Sequence, residues 1–251
     1  MLNYKLSTRK KLQIYPLGDI HIGSPFFNED FLEYWIRSFK GSKSEKLIYL
    51  QGDLIDLATK RLGNSAYEQK MSVDDQIDMV LGYLKPLKRY IKGSVPGNHE
   101  LRTRKEFDLD VSKLIASELE CEYSPTLYHK IMINGIEYKI HAQHGTKTSN
   151  QLHLMLGQVM RATQHIDADL ILYGHCHYAE SMSLPNITLD GYTRKNLVLT
   201  GHFLKYNGSY AELQGLKANP CCYSVINIGC NANTNVNIFN EDELIIKDSN
   251  D

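Results

Sequence analysis

An apolar run that stops at a carboxylate and an imidazole, Leu12 to Leu17 followed by Gly18-Asp19-Ile20-His21, constrains this chain more than any other feature. On an extended segment, side chains two positions apart point the same way, so Asp19 and His21 are expected to reach one cation together. Alone, an Asp-x-His pair usually reads as a turn with a surface histidine. Four further clusters follow, each closing its own apolar run: Gly52-Asp53-Leu54-Ile55-Asp56, Gly97-Asn98-His99-Glu100, His144-Gly145 and Gly174-His175-Cys176-His177. Gly-Asp and Gly-Asn dipeptides are ordinary turn signals. Five such clusters, all at strand exits, need a common cause. His175 and His177 are again two apart, so both imidazoles are expected on one side.

The stretches between the clusters predict alternating strands and helices. Strands are expected at 10–17, with Pro16 tolerable at the strand end, and at Leu47 to Leu50 after a polar connection, Gly41 to Lys46. Asn28 can cap a helix from Glu29 to about Lys40, carrying Phe31, Leu32, Trp35, Ile36 and Phe39 at helical spacing. Leu57 to Met71 reads as a long loop or broken helix. Ser72-Val73-Asp74-Asp75 has the form of a capping box and opens a helix with Ile77, Val80, Leu81 and Leu84 on one face, which Pro86 ends or kinks. An apolar approach through Ile91 and Val95 leads to the third cluster, and Asp110 can cap a helix carrying Val111, Leu114 and Ile115. Asn134-Gly135 between two β-like runs, 128–133 and 136–141, predicts a hairpin. Ser149 or Asn150 can cap a helix running to about Thr163, with Leu152, Met155, Leu156 and Val159 on one face. Asp169 to Tyr173 reads as a buried strand, and 196–200, 222–228 and 236–246 as further strands before a polar tail. Strands alternating with helices, then strands alone, predict a layered α/β domain.

The length of 251 residues allows a full core, and 42% hydrophobic with 23% charged residues suits an ordinary globular protein. A formal net charge of -1 argues against a broadly basic surface that coats nucleic acid, while leaving room for a local basic cleft. No apolar run approaches the roughly 20 residues that span a bilayer, and the N-terminus carries no signal-peptide core, so no membrane association and a cytoplasmic location are expected. The 5 cysteines form no Cys-x-x-Cys pair, which suits a reducing compartment and leaves the Asn-x-Ser/Thr triplets at Asn186 and Asn207 without meaning for glycosylation.

In this order the five clusters resemble the motifs of the calcineurin-like metallophosphoesterase superfamily, across residues 18–177. The resemblance implies an α/β fold, a four-layer α-β-β-α sandwich with two mixed sheets. It implies a single domain over 1–251, with strands in 196–246 completing the sheets. It implies two divalent cations: Asp19, His21 and His177 hold the first, Asn98, His144 and His175 the second, and Asp53 bridges them. Imidazole with carboxylate suits Mn, taken first, or Fe or Zn, rather than Mg or Ca. A hydroxide held between two such cations can attack a phosphoryl group. His99 matches the residue that stabilises or protonates the leaving oxygen. Asp56 matches no ligand and is expected to orient a ligand histidine or loop amides. His141 is the one rival for the place of His144, and His165 and His202 are taken as structural.

Departures from the pattern select a branch. Serine/threonine phosphatases of the superfamily carry Arg-Gly after the second motif and Arg before the third; here those places hold Leu57-Ala58 and Pro96. Purple acid phosphatases lack the first-motif histidine, which is His21 here. The set is more similar to the phosphodiesterase and DNA-repair-nuclease branch of phage or prokaryotic type. The expected substrate is a phosphodiester, of nucleic acid or of nucleotides. Arg102, Arg104 and Lys105 follow the third motif and offer a cationic patch for further phosphates. A phosphomonoesterase and a non-catalytic scaffold on the same fold are the alternatives. No oligomeric state follows from the sequence.

Overall fold

The computed structural model describes residues 2–5, 11–58, 69–146, 149, 151–188, 191–213, 215 and 218–242. The predicted alternation is present. Strand β2 (Leu12–Leu17) follows a short β1 (Leu2–Lys5) that the sequence does not announce. The ladder from β2 to the later strand β11 (Cys222–Ile228) covers Leu12 to Ile14, so Pro16 lies beyond its last partner. Helix α1 (Glu29–Gly41) begins at Asn28, whose Oδ1 accepts from the Phe31 amide at 3.2 Å. Its buried stripe of Phe31, Leu32, Trp35, Ile36 and Phe39 is the one its spacing predicts. Strand β3 (Glu45–Leu50) starts inside the expected polar connection, where the Lys46 ammonium donates to the Phe39 and Ser42 carbonyls at the end of α1.

Helix α2 (Val73–Leu84) is capped by Ser72, and Pro86 falls in the 3-10 turn Lys85–Tyr90 that ends it. Strand β4 (Ile91–Ser94) leads to the third cluster. A short helix α3 (Leu101–Phe107) follows, absent from the sequence reading. Asp110 caps α4 (Val111–Glu118), accepting from the Lys113 amide at 3.0 Å. The helix carries Val111, Leu114 and Ile115 as expected; Leu114 is 41% exposed, because the buried face of α4 is Val111, Ser112, Ile115 and Ala116.

After β5 (Glu122–Tyr123) come β6 (Thr126–Ile133) and β7 (Ile136–Gln143), antiparallel with Ile133 opposite Ile136. Asn134 and Gly135 both have positive φ, as the two-residue hairpin turn requires. Helix α5 (Leu152–Thr163) starts at Gln151, whose amide donates to Ser149 Oγ; Asn150 lies outside the described residues. Strand β8 (Leu170–Tyr173) is fully buried. Strands β9 (Ala179–Thr188) and β10 (Gly191–His202) form a long antiparallel pair, of which only 196–200 was expected. Helix α6 (Tyr210–Leu213), β11 and β12 (Thr234–Asn240) complete the described elements. Residues 59–68 of the expected loop and 243–246 of the last expected strand lie outside the described residues.

Among the described residues the strands form one large mixed sheet, in the order β1-β6-β7-β8-β10-β11-β2-β3-β4-β5, with β12 beside β11 and β9 beside β10. Its two halves are joined where Gly201 and His202 of β10 pair with Tyr223 and Cys222 of β11. One apolar cluster packs α1, α2 and α4 on the β2–β3 half. A second packs Met155 and Val159 of α5 on Ile171 and Leu199. A third draws Ile14 and Tyr49 from one half together with Ile140 and Leu172 from the other. Strand β3 runs parallel to β2 and β4, and β8 to β7 and β10; β10 and β2 are both antiparallel to β11 between them, so the carboxyl ends of all six emerge on one edge. The sequence clusters follow these ends.

Candidate metal centre

All five clusters converge. Their loops are laced by backbone: the amides of Asp19, Ile20 and His21 donate to the Gly52 and Asp53 carbonyls, and the Phe203 amide donates to the Asp19 carbonyl. The convergence does not come from strand alternation. Asp19, His21, Asp53, His175 and His177 all have φ between 49° and 62°, the left-handed region, so the first, second and fifth clusters are tight turns past their strand ends. Asp and His tolerate this conformation better than bulky residues do, and such strain concentrates at functional sites. Gly97 has no alternative: a Cβ there would lie 2.0 Å from the Asp53 nitrogen.

Two sets of potential donors result. In the first, His177 Nε2 stands 3.3 Å from Asp19 Oδ1 and 3.3 Å from His21 Nε2. In the second, His144 Nε2 stands 3.3 Å from Asp53 Oδ2, 3.0 Å from Asn98 Oδ1 and 3.1 Å from His175 Nδ1. Asp53 Oδ2 also lies 3.9 Å from His21 Nε2, between the sets. Groups of Asp19, His21 and His177, of Asp19, Asp53, His144 and His175, and of His21, Asp53 and His99 can each converge on one ion. Donors about 2.1 Å from a shared cation stand about 3 Å apart when adjacent, which these spacings match. Asp19 Oδ1 is buried without a hydrogen bond, the condition of an atom waiting for a cation. The donor set of imidazoles, carboxylates and one amide oxygen therefore fits divalent cations.

Surrounding groups aim these donors. The Gln51 carbonyl accepts from His144 Nδ1 at 2.6 Å, which turns Nε2 inward. Asp56 Oδ1 lies 3.3 Å from the Nδ1 atoms of both His21 and His99, so the orienting role expected of Asp56 has its geometry. His99, 18% exposed, donates from Nδ1 to the Asp56 carbonyl at 2.6 Å. His141 sits apart with Nε2 on Gln143 Oε1, which leaves His144 alone at the ligand place. Of the three cations after the third cluster, Arg102 reaches His99, Arg104 pairs with Asp110 at 3.7 Å, and Lys105 is exposed.

Charge balance follows from these contacts. Burial alone would raise Asp53 and Asp56, but their imidazole partners hold both far below the usual carboxylate range. Burial opposes protonation of His144, yet its contact with Asp53 pushes it up to about 9. Burial, then the charge of His144, brings His175 down to about 4.

Three residues at the centre were missed. Glu100 is buried and accepts from the amides of Asp53, Leu54, Ile55 and Gly97, binding the second loop to the third. Burial, then the Asp53 charge, pushes it up to about 7. Its place in Gly-Asn-His-Glu was the available signal. His202, read as structural, stacks on His177 with ring centres 5.2 Å apart. Asn219 donates to the His177 carbonyl and contacts His202, and no motif marks it.

A comparison with curated proteins gives no match. Among solved structures, the chain is similar to a predicted phosphoesterase from Streptococcus pneumoniae, at 16% identity over 92% of this chain and 91% of that one, TM-score 0.44. Vacuolar Protein Sorting 29 from Cryptosporidium parvum matches at 13% identity over 92% and 97%, TM-score 0.45. A metallophosphoesterase from Sphaerobacter thermophilus matches at 12% identity over 93% and 88%, TM-score 0.44. Nothing further is drawn from likenesses this distant. The profile of the calcineurin-like phosphoesterase family matches residues 12–179, which hold every cluster described above. This chain belongs to the calcineurin-like phosphoesterase family.

Proposed function

We propose that the protein is a dinuclear-metal phosphodiesterase acting on nucleic-acid or nucleotide phosphodiesters. One observation carries the reading: Asp53 Oδ2 lies between two sets of donors, 3.3 Å from His144 and 3.9 Å from His21, so a single carboxylate serves both. Asp19, His21 and His177 would hold one cation, Asn98, His144 and His175 the other, and Asp53 would serve both. Manganese suits this mixed set, with iron or zinc as alternatives. When bound, the pair supplies activated water near neutral pH and neutralises charge on the phosphoryl group.

The chain's own residues do the rest. Asp56 holds the rings of His21 and His99 by their Nδ1 sides. His99 is thereby turned so that Nε2 is the atom that meets the leaving oxygen, the task of a general acid. Leu57-Ala58 after the second cluster and Pro96 before the third, where the serine/threonine phosphatases carry Arg-Gly and Arg, support a branch other than theirs. The three apolar clusters support a four-layer α-β-β-α sandwich within a single domain. The free cysteines support a reducing, cytoplasmic setting. Among the described residues no helix is long and apolar enough to cross a membrane.

The test is turnover by purified, manganese-loaded protein of bis-p-nitrophenyl phosphate, p-nitrophenyl phosphate, and single- and double-stranded DNA. Diester turnover is expected. Turnover of the monoester alone makes the protein a phosphomonoesterase. No turnover of any substrate, with metal bound, makes it a non-catalytic scaffold.

A further inference from the structure

Of the three cations after the third cluster, Arg102 is the one that reaches the centre. It lies three positions after His99, one turn along at the start of α3, so the two side chains share a face. Its neighbours Arg104 and Lys105 point elsewhere, as the helical rotation requires. Arg102 Nη1 is anchored by two carbonyls, of Asp56 at 3.0 Å and of Leu57 at 3.3 Å. Leu57 is in the left-handed conformation, φ 45°, and its amide donates to the buried Gln76 Oε1 at 3.1 Å. The loop is thus shaped to grip the guanidinium.

The other terminal nitrogen, Nη2, stands 2.9 Å from His99 Nε2. A guanidinium can only donate, so Nε2 accepts and the His99 proton resides on Nδ1, where the Asp56 carbonyl accepts it. Both ring nitrogens of His99 are then occupied by protein groups. His99 can meet a leaving oxygen only if Arg102 lets go of Nε2, and a phosphoryl oxygen is the better partner, since with an anion both partners of the bond are charged, while the imidazole is neutral.

We propose that Arg102 is a substrate-binding residue, whose Nη2 exchanges His99 Nε2 for a phosphoryl oxygen of the bound ester and so frees Nε2, which takes a proton from solvent before giving it to the leaving oxygen. The ligand class is a phosphate ester anion, and the inference rests on the phosphoesterase reading above.

The test uses full-length, manganese-loaded protein with Arg102→Ala and Arg102→Lys. The readouts are inorganic phosphate binding by calorimetry, KM for bis-p-nitrophenyl phosphate, and metal content. Arg102→Ala is expected to weaken phosphate binding and raise KM by about 10- to 100-fold with metal content unchanged. Arg102→Lys keeps the charge without the fork and is expected to fall between, and added guanidinium is expected to restore part of the loss in Arg102→Ala. Unchanged phosphate affinity and KM in Arg102→Ala, while the wild type hydrolyses diester, overturn this inference and leave the phosphoesterase reading standing. A wild type that neither hydrolyses any ester nor binds phosphate overturns both. Should Arg102→Ala lose its metal, Arg102→Lys decides, and wild-type phosphate affinity there contradicts the proposal.

Discussion

The backbone amide of His99 donates to Asp53 Oδ1 at 2.8 Å, so the loop that carries the proposed acid also pins the proposed bridging carboxylate. With Oδ1 committed, Oδ2 is the oxygen left to face His144, His21 and His99. Asp53→Asn keeps an acceptor for the His99 amide but removes the charge, and Asp53→Ala removes both. Metal analysis after dialysis is expected to show both variants depleted of cation, with Asp53→Ala the less stable of the two.

His99→Ala behaves differently, because the tie to Asp53 runs through backbone and survives the substitution. Metal content is expected to match the wild type, while diester turnover falls about 10²- to 10⁴-fold, the usual worth of a positioned general acid. Equal activity in the two proteins would remove His99 from the leaving-group role.

Metal binding is expected to strengthen with pH. In the cation-free protein His144 titrates at about 9, since Asp53 stabilises its protonated form against burial. Below that value a cation must displace the proton, and above it the imidazole is already free. One proton displaced gives about a tenfold gain in apparent manganese affinity per pH unit up to about 9. Calorimetric titrations at several pH values check this, and a flat profile from about pH 7 to 9 contradicts it.

Glu100 is expected to matter through stability. Its carboxylate accepts from four amides of two loops, at 2.6 to 3.3 Å. Glu100→Ala strands those buried donors, each costing about 1 kcal/mol or more, so a loss of about 3 kcal/mol or greater is expected. Thermal unfolding of the cation-free variant reads this directly, apart from any loss of bound metal. A transition within error of the wild type would show that water replaces the carboxylate.

Local chemistry made much of this fold legible. Asn28, Ser72 and Asp110 cap helices where their side chains predict, and Asn134-Gly135 makes the hairpin turn. The exposure of Leu114 was not legible, because one apolar residue at helical spacing does not say which side of a short helix is covered. Strand β9 was illegible because its apolar alternation is limited to Met182 and Leu184, between Glu180 and Pro185; its partner β10 supplies the ladder. At the centre, the proposed ligands could be named from their clusters, but their mutual aim could not. That aim depends on left-handed turns and on contacts such as Asn219 with the His177 carbonyl, 42 positions apart.

Electron paramagnetic resonance of the protein titrated with manganese tests the shared carboxylate most directly. Two equivalents per chain with a spin-coupled signal, abolished in Asp53→Ala, are predicted. A single uncoupled ion at saturation, or a coupled pair that persists without Asp53, would contradict the proposed dinuclear centre.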